Sequence, residues 1–308
     1  MTIFTCRECL PKKARCLAES PKKDQQARLI HDLSKDFPLP LLLSIGNLAK
    51  SSFYYHKVKL DVTDKYAELK QQIHQIYHQH KGRYGYRRIT LALKQQGITH
   101  NHKLIAKLMK IQGLTSLIRR KKYNSYKGTS NKIVKNKLKR RFKAKHSNMR
   151  WLTDITEFKV ADTKLYLSPI LDCYNNEIVS YTLSRRPVFA FVKDMLDQAI
   201  GQLPSIRKYK LMLHSDQGWH YQMSQFRKIL KQNNIKQSMS RKGNCWDNAL
   251  MENFFGTLKS ETIYLEKPKS IEELEQQIHD YIHYYNHERI QLNLKGLSPV
   301  QFRTQSCC

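Results

Sequence analysis

Three acidic residues stand where carboxylates can do chemistry rather than solvate a surface. Asp154 lies within the apolar run WLTDITEF, Asp216 follows an apolar run within HSDQG, and Glu252 falls within DNALMENFFGTLK. Thirty-five residues separate Asp216 from Glu252. Burying an ionised carboxylate without a partner is costly, so an Asp in an apolar strand asks for a counter-charge. Taken singly, Asp216 reads equally as a turn residue and Glu252 as a solvated helix residue. Brought together, three carboxylates suit hard divalent cations such as Mg²⁺ or Mn²⁺. Two ions about 3.5–4 Å apart clamp the attacking and leaving oxygens of an in-line phosphoryl displacement. One ion activates water or a 3′-hydroxyl, and the other steadies the leaving oxygen. A carboxylate shared between the ions, with one more on each, needs three acids and no covalent intermediate. The expected catalytic and metal-ligand set is therefore Asp154, Asp216 and Glu252, with two ions per site.

The elements that must carry these acids read as an α/β domain over residues 150–303. Strand-like patterns cover 150–160, 164–171 and 177–183, and a helix over 188–202 ends before Pro204. A strand over 209–214 delivers Asp216 at its end. A helix over 223–232, a strand over 235–239, a long helix over 246–263 and a last helix over 271–287 follow. Three strands, then helix, strand, helix, strand and helix, is the order of a ribonuclease H-like fold: a mixed five-stranded sheet with flanking helices. On the long helix Leu250, Phe254 and Leu258 recur at four-residue steps and should be buried. Asn248, Glu252 and Lys259 fall on the opposite face, and Asn248 and Lys259 are expected to touch nucleic acid near the scissile phosphate.

Charge supplies the second line of inference. There are 55 Lys and Arg against 25 Asp and Glu, a formal net charge of +30. No acid occurs between Glu68 and Asp154, an 85-residue stretch holding 23 Lys and Arg. A folded surface without acids repels itself, and a polyanionic partner, most commonly nucleic acid, removes that penalty. Three short helical runs between Asp64 and Gly113 predict a small all-α, helix-turn-helix-like module over 51–118. Its expected DNA contacts are Arg83, Arg87, Arg88, Lys103 and Lys107. His74, His78, His80, His100 and His102 read as helix-surface or DNA-facing residues. Residues 119–149 read as a basic linker ordered on DNA, with Arg119, Arg120, Lys121, Lys122, Arg140 and Arg141 tracking phosphates. Residues 1–50 read as a poorly defined lead-in and 304–308 as a tail. No signal peptide or bilayer-length apolar run is evident. Seven cysteines without framework spacing suit a reducing compartment. These features predict a cytoplasmic, nucleoid-associated protein with no membrane partner.

From about residue 51 to 303, the segments YGYRRI, WLTDITEF, HSDQGWHY, SRKGNCWDNALMENFFGTLK and YIHYYNHERIQLNLKGLSPVQF carry a resemblance. They resemble the transposases of bacterial insertion sequences, in the group whose second reading frame encodes a retroviral-integrase-like core. The resemblance implies a ribonuclease H-like core, Mg²⁺ dependence, and DNA strand cleavage and strand transfer at the ends of a mobile element. It places the catalytic triad on Asp154, Asp216 and Glu252. It also implies double-stranded DNA (element ends and target) as partner, self-association on DNA, and the first-reading-frame product as a candidate partner. The chain shows no sustained heptads and looks like the second-frame product. The Cys-His zinc module of retroviral integrases is absent, since Cys6 and Cys9 precede the histidines. Two other readings stand beside this one: a DNA-binding regulator of transposition without catalysis, and a ribonuclease H-like nuclease. Acids at all three positions argue against the first. The basic linker and the C-terminal segment argue against the second.

Overall fold

The computed structural model describes residues 23–61, 64–118, 136–138, 142–160, 162–204, 210–240 and 248–305. The chain divides into two compact units, Met1–Gln71 and Gln72–Cys308. In the first, α1 (Lys23–Leu33), α2 (Leu39–Ile45) and α3 (Lys50–Asp61) surround a small core. Ala27, Ile30 and Leu33 recur at three-residue steps on α1 and pack with Leu42, Leu48 and Phe53. Pro40 sits in the first turn of α2, where a missing N–H leaves no helical bond unmade. Asn47, at φ 46°, turns the chain from α2 toward α3. The expectation of a loose lead-in over 1–50 is thus corrected from residue 23 onward. Short amphipathic helices carry few periodic positions each, which is why they escape notice in the sequence.

The second unit takes in the C-terminal part of α4 (Ala67–Gln79), then α5 (Tyr86–Gln95) and α6 (His102–Ile111). Gly97 and Gly113, at φ +83° and +69°, follow the last residues of α5 and α6 and accept the left-handed conformation that ends both helices. The Asn101 side chain caps α6 by accepting the Lys103 N–H at 2.8 Å.

The sheet comprises β1 (Arg150–Thr153), β2 (Thr156–Val160), β3 (Thr163–Asp172), β4 (Ile178–Ser184), β5 (Met212–Ser215) and β6 (Lys236–Met239). β1 and β2 both run antiparallel to one edge of β3, and β4 runs antiparallel to its other edge. β5 is parallel to β1 and β6 is parallel to β5. The single strand expected over 150–160 is broken at Asp154 and Ile155, so six strands occupy the five positions of a ribonuclease H-like sheet. Around it lie α7 (Phe189–Gly201), α8 (Trp219–Gln222), α9 (Ser224–Gln232), α10 (Ala249–Glu261), α11 (Ile263–Glu266), α12 (Ile271–His287) and α13 (Pro299–Gln305). Trp151, Ile170 and Leu213 from the sheet meet Val192, Met195 and Leu196 from α7 and Phe226 and Leu230 from α9 in the main core. Trp151 is fully buried; truncating a ring like this to Ala costs about 3–5 kcal/mol. This core holds β1 and β5 in fixed register, and that register sets the site.

Candidate active site

Thr153 at the end of β1 pairs with Ser215 at the end of β5. The next residues along these adjacent parallel strands are Asp154 and Asp216, so the two aspartates leave the sheet side by side. Each is held by its own backbone. Asp154 Oδ1 accepts the Ile155 N–H at 2.8 Å, and Asp216 Oδ1 accepts the Gly218 N–H at 2.8 Å. A Cβ on residue 218 would lie 3.0 Å from Asp216 Oδ1 and 3.4 Å from the Tyr221 ring, so glycine lets the chain curl around this carboxylate. Beneath them Tyr221 is buried, its hydroxyl 3.4 Å from Thr153 Oγ1. Asn248, one residue before α10, donates from Nδ2 to Asp154 Oδ2 at 3.1 Å.

Burial, the charge of Asp216 and the charge of Glu252 push the Asp154 carboxyl well above its usual range, against the opposing Ile155 N–H and Asn248 amide. Burial raises Asp216 as well, with the Gly218 N–H and His220 opposing. Two neighbouring half-buried carboxylates cannot both ionise cheaply, and a divalent cation is the partner that removes the cost. The donor set fits such an ion: three hard carboxylates, with the Asn248 Oδ1 buried and without a hydrogen-bond donor among the described residues. Among those residues no three His, Cys, Asp or Glu side chains stand in finished metal-ligand geometry. The grouping is therefore electrostatic proximity, with Glu252 half-buried one turn into α10.

Family models match the chain in three places: an HTH-like domain over residues 65–122, and two integrase core domain models over 144–245 and 252–307. The putative transposase InsK of insertion element IS150 from Escherichia coli is 49% identical over 279 residues, covering 91% of this chain and 98% of that protein. The chain belongs to the insertion-sequence transposases. A transposase-like protein of Haemophilus influenzae is 52% identical over 212 residues, covering 69% of this transposase and 97% of that protein. The catalytic core domain of HTLV-2 integrase superposes with a TM-score of 0.43 at 20% identity, over 52% of this transposase and 99% of that domain. An integrase-core transposase is a polynucleotidyl transferase: it cuts DNA strands and joins the ends to new DNA.

The other expected contact residues of the transposase fall into three groups. Arg87, Lys103 and Lys107 are exposed on α5 and α6, as phosphate contacts require. Arg83 and Arg88 are not surface cations. Arg83 is buried and donates from Nε to the Glu261 backbone carbonyl at 2.9 Å. Arg88 Nη1 lies 3.4 Å from Glu261 Oε1. Glu261, at the last position of α10, is 1% exposed and is also gripped by Arg289, through Nε at 2.8 Å and Nη2 at 2.7 Å. Tyr281 donates its hydroxyl to the same carboxylate at 3.1 Å. A Glu in this cage of donors is held below the usual carboxylate range, chiefly by Arg289 and against the cost of burial. The remaining cations, Arg119, Arg120, Lys121, Lys122, Arg140 and Arg141, lie outside the described residues.

Several further expectations are corrected. Asn248 is buried against Asp154 rather than exposed on the polar face of the helix. Lys259 is half-buried, its Nζ 3.3 Å from the Glu157 carbonyl and 5.1 Å from the Phe158 ring centroid. Burial lowers its ammonium pKa. The buried face of α10 consists of Met251, Phe254, Phe255 and Leu258, while Leu250 is only half-buried. His80 is buried, stacked on Tyr84 with centroids 3.9 Å apart and 3.2 Å from the Tyr284 hydroxyl through Nδ1. Part of the basic linker is docked: the N–H groups of Lys137 and Leu138 donate to Ser238 Oγ on the edge strand β6 at 2.9 and 3.2 Å.

Proposed function

We propose that Asp154, Asp216 and Glu252 are the catalytic carboxylates of this transposase and that they hold two Mg²⁺ or Mn²⁺ ions. The observation that carries the reading is the pairing of Thr153 with Ser215. It sets two aspartates at the ends of adjacent strands, where the charges of Asp216 and Glu252 both reach Asp154. The ions would supply an activated water or 3′-hydroxyl and a Lewis acid at the leaving oxygen. The chain's own groups do the rest. Ile155 N–H and Asn248 fix one oxygen each of Asp154, and Gly218 N–H fixes Asp216. Lys259 sits on the same helix as Glu252, two turns further along, within reach of β2. The partners are the double-stranded ends of the mobile element and a target duplex, with self-association on DNA and the first-reading-frame product as a further partner. The proposed location is the cytoplasm, on the nucleoid; among the described residues no helix is long and apolar enough to cross a membrane.

The test is strand cleavage and strand transfer with Asp154→Asn, Asp216→Asn and Glu252→Gln. Each removes a charged ligand and little volume. All three should lose cleavage while retaining DNA binding. Normal cleavage by any one of them removes that residue from the set, and robust cleavage in a chelator removes the metal mechanism.

A further inference from the structure

We propose that α3 of the N-terminal unit is a second DNA-reading helix, laid along duplex DNA by the face that carries Ser51, Tyr54, Tyr55 and Val58. The matched HTH-like domain begins at residue 65, so this surface lies outside it.

Three observations lead here. First, α2 and α3 are two short helices joined by the tight Gly46–Asn47 turn, and α1 backs them through a shared core. That is the layout in which the second helix of a pair is presented to a groove. Second, α3 buries Phe53, at 2% exposure, yet leaves large side chains on another face: Tyr54 is 44% exposed, Tyr55 60% and Val58 64%. With Ser51 they occupy positions i, i+3, i+4 and i+7, which form one continuous stripe. A surface helix ordinarily spends its apolar residues on the core side alone, so a contiguous exposed stripe marks a contact surface. Third, charge is uneven. The α3 sequence holds Lys50, His56, Lys57 and Lys59 against a single acid, Asp61, whereas on α1 and just after it Lys23, Arg28 and Lys35 are balanced by Asp24, Asp32 and Asp36.

An apolar stripe alone would suit a protein partner. Flanking lysines change the balance, because Lys50 and Lys57 can meet phosphates while the stripe faces base edges. Ser and Tyr hydroxyls hydrogen-bond to bases or phosphates, and Val58 offers apolar contact to a thymine methyl. The major groove is wide enough for one α-helix.

The experiment uses the full chain and a duplex that it selects from a random-sequence pool. Affinity is measured by anisotropy at several salt concentrations, and the protected segment by hydroxyl-radical footprinting. The double substitution Lys50→Ala/Lys57→Ala should flatten the slope of log K against log salt by about two units. Tyr54→Ala should cut the preference for the selected duplex over random DNA by at least about fivefold and shorten the footprint at one end. The variants change the exposed Lys50 and Tyr54 and the half-buried Lys57, and unaltered thermal unfolding confirms that they fold. A second measurement is independent of folding energetics: Tyr54→p-benzoylphenylalanine should photocrosslink to DNA. An unchanged footprint, slope and preference overturns the proposal. Crosslinking to protein, with sedimentation altered and DNA binding intact, also overturns it and makes the face a protein interface. Loss of cleavage in the triad variants has no bearing on either outcome.

Discussion

Replacing Arg289 by Ala should destabilise the Gln72–Cys308 unit by about 3–5 kcal/mol, the cost of leaving one charge of a buried pair without its partner. The structure indicates why the full range applies. Glu261 is 1% exposed and loses two charge-assisted bonds, at 2.8 and 2.7 Å. Each such bond contributes about 1.5–3 kcal/mol. Arg88 at 3.4 Å and Tyr281 at 3.1 Å remain, and they keep the loss from growing further. For a unit of this size the expected fall in Tm is about 6–20 °C. The measurement is thermal and urea unfolding near pH 7, where the Glu261 carboxylate is fully ionised. A carboxyl held below its unfolded value stabilises above that value and loses its contribution as pH falls through the folded pKa. Direction therefore gives a second check: the gap between wild type and Arg289→Ala should narrow in acid. The double variant Glu261→Met/Arg289→Met should recover more than half of the loss, because neither charge is then buried alone. If Arg289→Ala melts within about 1 kcal/mol of wild type, the pair is not the structural node described here.

Other perturbations separate buried from exposed charge. Arg87→Ala/Lys103→Ala should flatten the salt dependence of DNA binding by about two units with little change in Tm, whereas Arg83→Ala should lower Tm and leave the slope alone; the reverse pattern in binding and melting curves would exchange their roles. Without added metal, Asp154→Asn should raise Tm at neutral pH: a carboxyl raised above its unfolded pKa stabilises only below that value and loses its contribution as pH rises through the folded pKa. Mg²⁺ should then raise the Tm of wild type but not of this variant, as read by differential scanning fluorimetry. His80 titrates at about 4, lowered by burial and then by the Arg83 and Arg88 charges. The unfolded chain therefore takes up the proton first, and stability should fall between about pH 6.5 and 4. His80→Gln should flatten that limb of the pH–stability curve.

Much of the catalytic unit was legible because its signals are local. Alternating apolar runs gave the sheet, Gly97 and Gly113 marked two helix ends, and the last long helix was expected over the same span as α12, Ile271–His287. Asp216 was legible for the same reason, since a strand ending in Ser-Asp-Gln-Gly leaves its Asp at the strand tip. What the sequence hid are features set by distant residues. Arg83 and Arg88 look like any cations in a basic segment until Glu261, more than 170 residues later, is folded against them. Glu261 itself reads as a solvated helix-end glutamate, and nothing local signals that Arg289 closes over it. Asn248 shares that blind spot: helical periodicity put it on the polar face of α10, but periodicity cannot report that Asp154 fills the space there. The break between β1 and β2 is hidden too, because WLTDITEF is rich in aromatic and β-branched residues and holds no Gly or Pro, so it passes for one strand.

The Glu261 node gives this transposase a ruler. α5 and the turn before it are tied to the end of the same helix that bears Glu252, through Arg88 on α5 and Arg83 just ahead of it, and Arg289, just after α12, holds the Glu261 carboxylate. Nine helical steps along α10 lead from Glu252 to Glu261, about 13.5 Å of rigid helix. If α5 and α6 grip a duplex and Glu252 is one of the catalytic carboxylates, as proposed above, that duplex is measured against the cutting centre by a fixed length of protein. One added base pair between the gripped sequence and the cleaved phosphate displaces that phosphate by about 3.4 Å and rotates it by about 35° around the duplex axis. On that reading the span between recognition and scission would become part of the element's address, enforced by a buried ion pair.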